Sequence, residues 1–295
     1  MGSVDVNRSF VKVNRITEGE HKIVVAVNRS IDAGAFPQAL NVRDRGPYSA
    51  RNSSKGALID EASRVFSALS SRQSIESVRD QIFRGDVLSQ RSRENRERIW
   101  RSIQQRYLIS NSPWLTSMLT EKCAAGPHSR DFISMLYLLY ALRDRLTFDF
   151  VTTVLWAKAG EHRAIISRND VLDLLKQAAD SQPQIERWSE STRIKLAGSV
   201  LTALRDFGLL EGQQKKVLVQ PSLPLSTAEA LLRVLTVEGR GGRQVVQDVA
   251  WRLFLLSETD VAATLAKLAQ QGTIRFEKVG TTVVLETPPE WERQP

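Results

Sequence analysis

The sequence predicts a mainly α fold: a helical bundle, then a winged helix-turn-helix domain, then a second, degenerate winged-helix unit. Three observations predict it. Apolar residues recur at three- and four-residue spacings through much of the chain, the period of an amphipathic helix. Met135 to Leu142 is apolar nearly all round, as suits a helix in the middle of a bundle. The stretch from Ser167 to Gln220 reads as helix, turn, helix and short hairpin. The expected boundaries are an N-terminal extension over 1–54, a bundle over 55–160, a winged helix-turn-helix domain over 161–222 and a helix-plus-hairpin unit over 223–295.

Within the extension, Ile23 to Val27 is short and apolar enough for a strand, and Asn41 to Arg51 is rich in Gly, Pro and Arg. A helix from Gly56 to Ser70 packs through Leu58, Ala62, Val65, Phe66 and Leu69. Ser74 caps a helix over Ile75 to Phe83, ended at Arg84-Gly85-Asp86. The next helix, Ser92 to Leu108, places Ile99, Ile103 and Tyr107 four apart. Its first turns carry Arg91, Arg93, Arg96, Arg98 and Arg101, interleaved with Glu94 and Glu97. The spacing predicts Glu94–Arg98 and Glu97–Arg101 pairs, so part of this charge is a solvated face. From Pro113 to Trp156 the pattern is helical throughout.

Arg168 opens the first helix of the winged unit, capped by Ser167 or Asn169, and Pro183 stops it from running far past Asp180. The second helix, Ser191 to Phe207, puts Ile194, Ala197, Leu201 and Leu204 on one stripe and Lys195, Ser199 and Thr202 on another. Gly208 is placed as its stop, and Glu211 to Val219 is a polar turn feeding a strand. Beyond Pro221 and Pro224, helices are expected over Thr227 to Val237, Val245 to Leu256 and Asp260 to Gln270. A hairpin turning near Gly280 follows. Glu258 and Asp260 make this last unit a poorer partner for phosphate, so packing or dimerisation is its expected work.

With 42% hydrophobic and 25% charged residues, the 295-residue chain has the composition of a soluble globular protein, and its net charge of +8 favours a polyanionic partner. Phe132 to Leu142 is far short of the roughly 20 apolar residues that span a bilayer. The lone Cys123 cannot form an internal disulfide, and no secretory signal opens the chain, so a cytoplasmic location is expected. His21, His128 and His162 are isolated from one another, and Asp144 and Asp149 lack the lysine-containing triplet of a metal nuclease. Gly239-Arg240-Gly241-Gly242-Arg243 joins two helices and has no strand-to-helix setting for a nucleotide. No enzyme, cofactor or metal is expected.

Several segments in order resemble a known family. They are Lys55 to Ala62, Arg98-Ile99-Trp100-Arg101 leading to Gln105-Arg106-Tyr107-Leu108, Tyr137 to Leu142, and Leu146-Thr147-Phe148-Asp149-Phe150. Trp188, Ser191-Thr192-Arg193 and Leu204 to Leu210 complete the set. This order resembles the BrxA accessory proteins of the BREX (bacteriophage exclusion) defence systems. The resemblance implies a small, helix-rich, non-enzymatic protein that binds double-stranded DNA and works beside a methyltransferase and large ATPases. The first fifty residues look longer than in typical members, and the resemblance says nothing of them.

On this reading Arg193, Lys195, Ser199 and Thr202 meet the groove of duplex DNA, while Arg205, Lys215 and Lys216 meet phosphates. Arg93, Arg96 and Arg98 form a competing nucleic-acid surface on the bundle. Two alternatives stay open: a protein-docking scaffold of the defence complex, which could include a further copy of this chain, and an RNA-binding helical protein.

Overall fold

The computed structural model describes residues 42–293 except 54–55, 72, 91 and 110–111, so the expected strand over Ile23 to Val27, and Arg91, lie outside the described residues. The fold is mainly α. The first helices are α1 (Ile59–Ser70), α2 (Ile75–Arg84), α3 (Arg93–Tyr107), α4 (Pro113–Ala125) and α5 (Arg130–Leu142). Hydroxyl caps start several of them. Ser74, Ser92 and Ser129 accept hydrogen bonds from the backbone N–H groups of Ser77, Asn95 and Phe132, supplying acceptors to donors that a helix start leaves orphaned. α1 starts later than its sequence suggests, because Leu58 adopts φ 57° and breaks the helical path before Ile59.

Helix α5 is the centre of the molecule, and Phe132, Met135, Leu136 and Tyr137 to Leu142 are all buried. The Tyr137 ring packs against Phe207 and Phe254 at centroid distances of 5.6 and 5.4 Å, and its hydroxyl donates to the Leu253 carbonyl at 2.7 Å. One helix thus contributes to the core beneath all three segments that follow the N-terminal extension, and Pro37–Pro295 forms one compact unit.

Next comes an unbroken helical run: α6 (Arg145–Asp149), a π-helical stretch Phe150–Leu155 and α7 (Trp156–Lys158). It leads into β1 (Ile165–Ile166), α8 (Arg168–Gln177), 3-10 turns at Ala179–Ser181 and Pro183–Arg187, α9 (Glu190–Asp206), β2 (Leu210–Glu211) and β3 (Lys216–Leu218). The three strands form an antiparallel sheet in the order β1-β3-β2, with Ile165 opposite Val217 and Leu210 opposite Leu218.

The rest comprises α10 (Leu225–Val237), α11 (Arg243–Val246), a 3-10 segment Val249–Phe254, α12 (Glu258–Gln270), the β4–β5 hairpin (Arg275–Val279, Thr282–Glu286) and α13 (Pro289–Arg293). The continuous helix expected over Val245 to Leu256 is in fact two short pieces. The Asp248 carboxylate accepts from the Ala250 N–H and restarts the chain, and Leu255 at φ 54° ends it again.

A segment not anticipated as structured crosses this body. The Asp44 N–H donates to the Leu142 carbonyl at 2.7 Å, the Tyr48 N–H to Gln182 Oε1 at 3.0 Å, and the Tyr48 hydroxyl to Asp149 at 2.8 Å. Its single 3-10 turn, Ala50–Asn52, ends at buried Asn52, whose Oδ1 accepts from Arg106 Nε and Nη2 at 3.1 and 2.6 Å.

Candidate nucleic-acid interface

Helix α9 starts at Ser189, whose hydroxyl accepts from the Thr192 N–H at 3.2 Å. Leu196, Ala197, Val200, Leu201, Ala203 and Leu204 are buried, giving an inner face wider than the four-residue stripe read from the sequence. At the other end Gly208 takes φ 81°, and the Leu209 N–H closes back on the Leu204 carbonyl at 2.9 Å, the pattern that lets a chain leave a helix and reverse.

The reversal feeds the β2–β3 hairpin. Gly212 has φ 96°, and a Cβ there would collide with the Lys215 carbonyl oxygen, so the tight turn requires glycine. Lys216 Nζ donates to the Gln213 carbonyl at 2.9 Å, and Arg205 Nη1 reaches Gln213 Oε1 at 3.1 Å. Arg205 also pairs with Asp206 at 2.9 Å, so it ties the hairpin to α9. Lys215 is exposed and Lys216 half-buried.

In front of α9, α8 opens with a reciprocal cap between Ser167 and Asp170, and Lys158 Nζ lies 2.5 Å from the Asp170 carboxylate. Burial by itself would raise the Asp170 carboxyl, but hydrogen bonds from Lys158 and Ser167 outweigh it and hold the group below its ordinary value.

The expected groove residues divide. Lys195 is exposed on the outer side of α9 beside exposed Ser191. Ser199 and Thr202 are half-buried, and the Thr202 hydroxyl is used within the helix, donating to the Gly198 carbonyl at 2.9 Å. The Ala50–Asn52 turn packs against α9 and brings Gly56 to the Thr202 methyl, covering part of what the sequence left open. Arg193 is half-buried in a groove between α8 and α9 whose apolar lining includes Leu172, Leu175, Ile185 and Ile194. Asp173, Glu186 and Glu190 also line this groove.

The competing arginines of α3 are partly structural. Arg96 donates to the Gln90 and Phe83 carbonyls at 2.7 and 2.9 Å, binding α3 to the end of α2. Arg93 pairs with Glu97 at 2.9 Å, in place of the expected Glu94–Arg98 and Glu97–Arg101 pairs. Arg101 instead points its Nε at the Glu97 backbone carbonyl, and Arg98 is exposed. In the C-terminal unit, Arg275 pairs with Glu277 and Glu286 at 3.0 and 3.1 Å, so charge on that hairpin is largely matched.

Sequence reasoning did not identify β1 or the Ala50–Asn52 turn. Two residues are too few to show alternation, and a single helical turn shows no period. Among the described residues, no group of three or more His, Cys, Asp or Glu could hold a metal ion, and no helix is long and apolar enough to cross a membrane.

These features define a mainly α protein in which a helix pair and a small antiparallel sheet are fused to a helical bundle through one core. The chain belongs to the BrxA family, whose model matches residues 46–234, and it is thereby a BREX-associated defence protein. No curated protein matches the chain. Among solved structures, it is similar to an uncharacterized protein from Magnetospirillum magneticum, with a TM-score of 0.55 and 17% identity over 72% of this chain and 100% of that one. At that identity the likeness is one of fold.

Proposed function

We propose that this chain is a non-catalytic component of a BREX defence complex that binds double-stranded DNA through the exposed amino-terminal half of α9 and the β2–β3 hairpin. The observation that carries this reading is the order of elements: helix, β1, α8, α9, β2, β3, with a β1-β3-β2 sheet. That order supports a winged-helix reading in which the run Arg145–Lys158 serves as the first helix. Such a unit offers its last helix to the major groove and its hairpin to the flanking backbone. On this geometry Lys195 meets the groove, and Lys215 and Lys216 meet phosphates without reading sequence. Arg205 contributes by holding the hairpin to α9, and Arg193 lines the α8–α9 groove. On this reading the site of action is the cytoplasm.

The test is duplex binding measured against salt for the parent and for a Lys195→Ala/Lys215→Ala/Lys216→Ala variant. Each lost phosphate contact should flatten the slope of log K against log salt by about 0.9. Unchanged affinity and slope in a folded variant would move the interface elsewhere, with Arg93 and Arg98 of α3 next to be replaced and RNA compared with DNA. A second reading, protein docking, has its own support in the α8–α9 groove, whose apolar lining, with Asp173, Glu186 and Glu190 against Lys176 and Arg193, suits an amphipathic segment better than phosphate.

A further inference from the structure

Outside the α9 surface, a chain of contacts joins arginines on three parts of the fold. Arg43, itself buried, spans Glu238 and Asp248 at 2.9 and 3.2 Å. Arg45 approaches the same Glu238 at 3.4 Å, and Arg240 the same Asp248 at 3.7 Å. Arg145 Nη1 donates to the Arg45 and Gly46 carbonyls at 3.2 and 2.9 Å, and its Nε lies 3.5 Å from Asp149. Arg51 pairs with Asp44 at 2.8 Å and donates to the Arg143 carbonyl, and Arg143 Nε donates to the Gln105 carbonyl at 3.3 Å.

The two signs of charge are not equally presented. The side chains of Glu238 and Asp248 are 1% and 5% exposed, whereas those of Arg45 and Arg240 are 56% and 39% exposed, and Arg243 at the start of α11 is also exposed. Arg51 and Arg145 are only slightly more exposed than Asp44 and Asp149, so the contrast is confined to the Glu238–Asp248 part of the chain. Around Glu238 and Asp248 the acids lie beneath and the guanidinium groups above, so solvent meets a positive surface there although the pairs are formed. Arg51 and Arg143 are close enough that Arg51, together with burial, which is the larger cause, lowers the Arg143 pKa.

We propose that Arg45, Arg51, Arg143, Arg145, Arg240 and Arg243 form a second contact surface for the phosphate backbone of duplex DNA, continuing the interface away from α9. The proposal rests on the DNA-binding reading above. The belt adjoins α9 at its covered end, because Arg51 belongs to the Ala50–Asn52 turn that packs against that helix. The chemistry fits a phosphate ester, and the surroundings favour nucleic acid over a lipid surface. Arginine offers a planar fork that matches a phosphate in two hydrogen bonds. The exposed large hydrophobic residues among those described, Ile75, Ile165, Val279 and Val284, all lie outside this belt, and membrane-surface binding needs apolar insertion beside the charge.

The test replaces Arg45, Arg240 and Arg243 together by glutamine, leaving Arg43 on both buried acids, and compares duplex binding across salt with the parent, the triple Arg→Lys variant and the Lys195/Lys215/Lys216 variant. Loss of up to three phosphate contacts should weaken binding at least about tenfold and flatten the salt slope by about two to three, with lysine restoring most of both. If the glutamine variant matches the parent while the Lys195/Lys215/Lys216 variant loses affinity, the belt is refuted and the α9 reading stands. If the parent does not bind duplex at low salt, both fail. Should the glutamine variant not fold, arginine modification of the parent by a dicarbonyl reagent decides: duplex must protect Arg45, Arg240 and Arg243, and undiminished reactivity refutes the belt. Tighter binding of vesicles containing phosphatidylglycerol than of duplex also overturns it.

Discussion

The methyl of Thr202 faces Gly56: a Cβ added at Gly56 would lie 3.5 Å from Thr202 Cγ2 and 3.1 Å from Asp206 Oδ2. The covered end of α9 therefore approaches protein where an isolated recognition helix would meet solvent. Thr202→Ala should leave duplex affinity within about twofold of the parent, because the hydroxyl it removes is used within the helix. Lys195→Ala should weaken it more, since Lys195 is exposed on the uncovered half. A titration in which Thr202→Ala is the more damaging change would place the groove at the wrong end of α9.

Leu201 is buried on the inner face of α9, with Leu204 one turn on. Leu201→Ala should lower stability by about 2–5 kcal/mol through lost burial and the cavity left behind. Tyr140 and Phe150, both fully buried, should behave in the same way. Denaturant unfolding measures it, and a change below about 0.5 kcal/mol for Leu201→Ala would contradict the packing described here.

The α8 cap should lend the protein acid sensitivity. Asp170 has a folded-state pKa held below its unfolded value, so its contribution is complete above the unfolded value of 3.8 and is lost as pH falls through the lower folded value. Asp170→Asn should reduce stability at pH 7 by roughly 1 kcal/mol and bring parent and variant closer together below about pH 4. Thermal midpoints across pH 2–7 test it, and a gap that widens toward acid would reverse the sign.

Cys123 is buried, and burial, partly offset by a hydrogen bond with Ser67, pushes its thiol above the ordinary range. Alkylation of the folded protein at neutral pH should therefore be slow and should accelerate sharply in denaturant. Rapid labelling of the native protein would show that the α1–α4 contact over the thiol opens readily.

Much of the local structure was legible in the sequence because local chemistry decides it. The Ser74 cap, the Gly208 reversal and the apolar Tyr137–Leu142 run each act over a few residues, and the helices they mark lie close to where those signals put them, whereas the Ser129 cap that starts α5 was not read from the sequence. The four-residue stripe of α9 also gave the correct inner direction, since 3.6-residue periodicity fixes which side chains share a face. What covers the other face is a different kind of fact. Gly56 lies against Thr202, Asn52 accepts from Arg106, and Arg43 joins Glu238 to Asp248, each across a long stretch of chain. No periodicity encodes such meetings, and tertiary packing alone decided that α9 keeps one half open while the other is covered. Helix type and inner face follow from short-range sterics and burial of apolar surface; exposure of the polar face depends on which distant segment reaches it first.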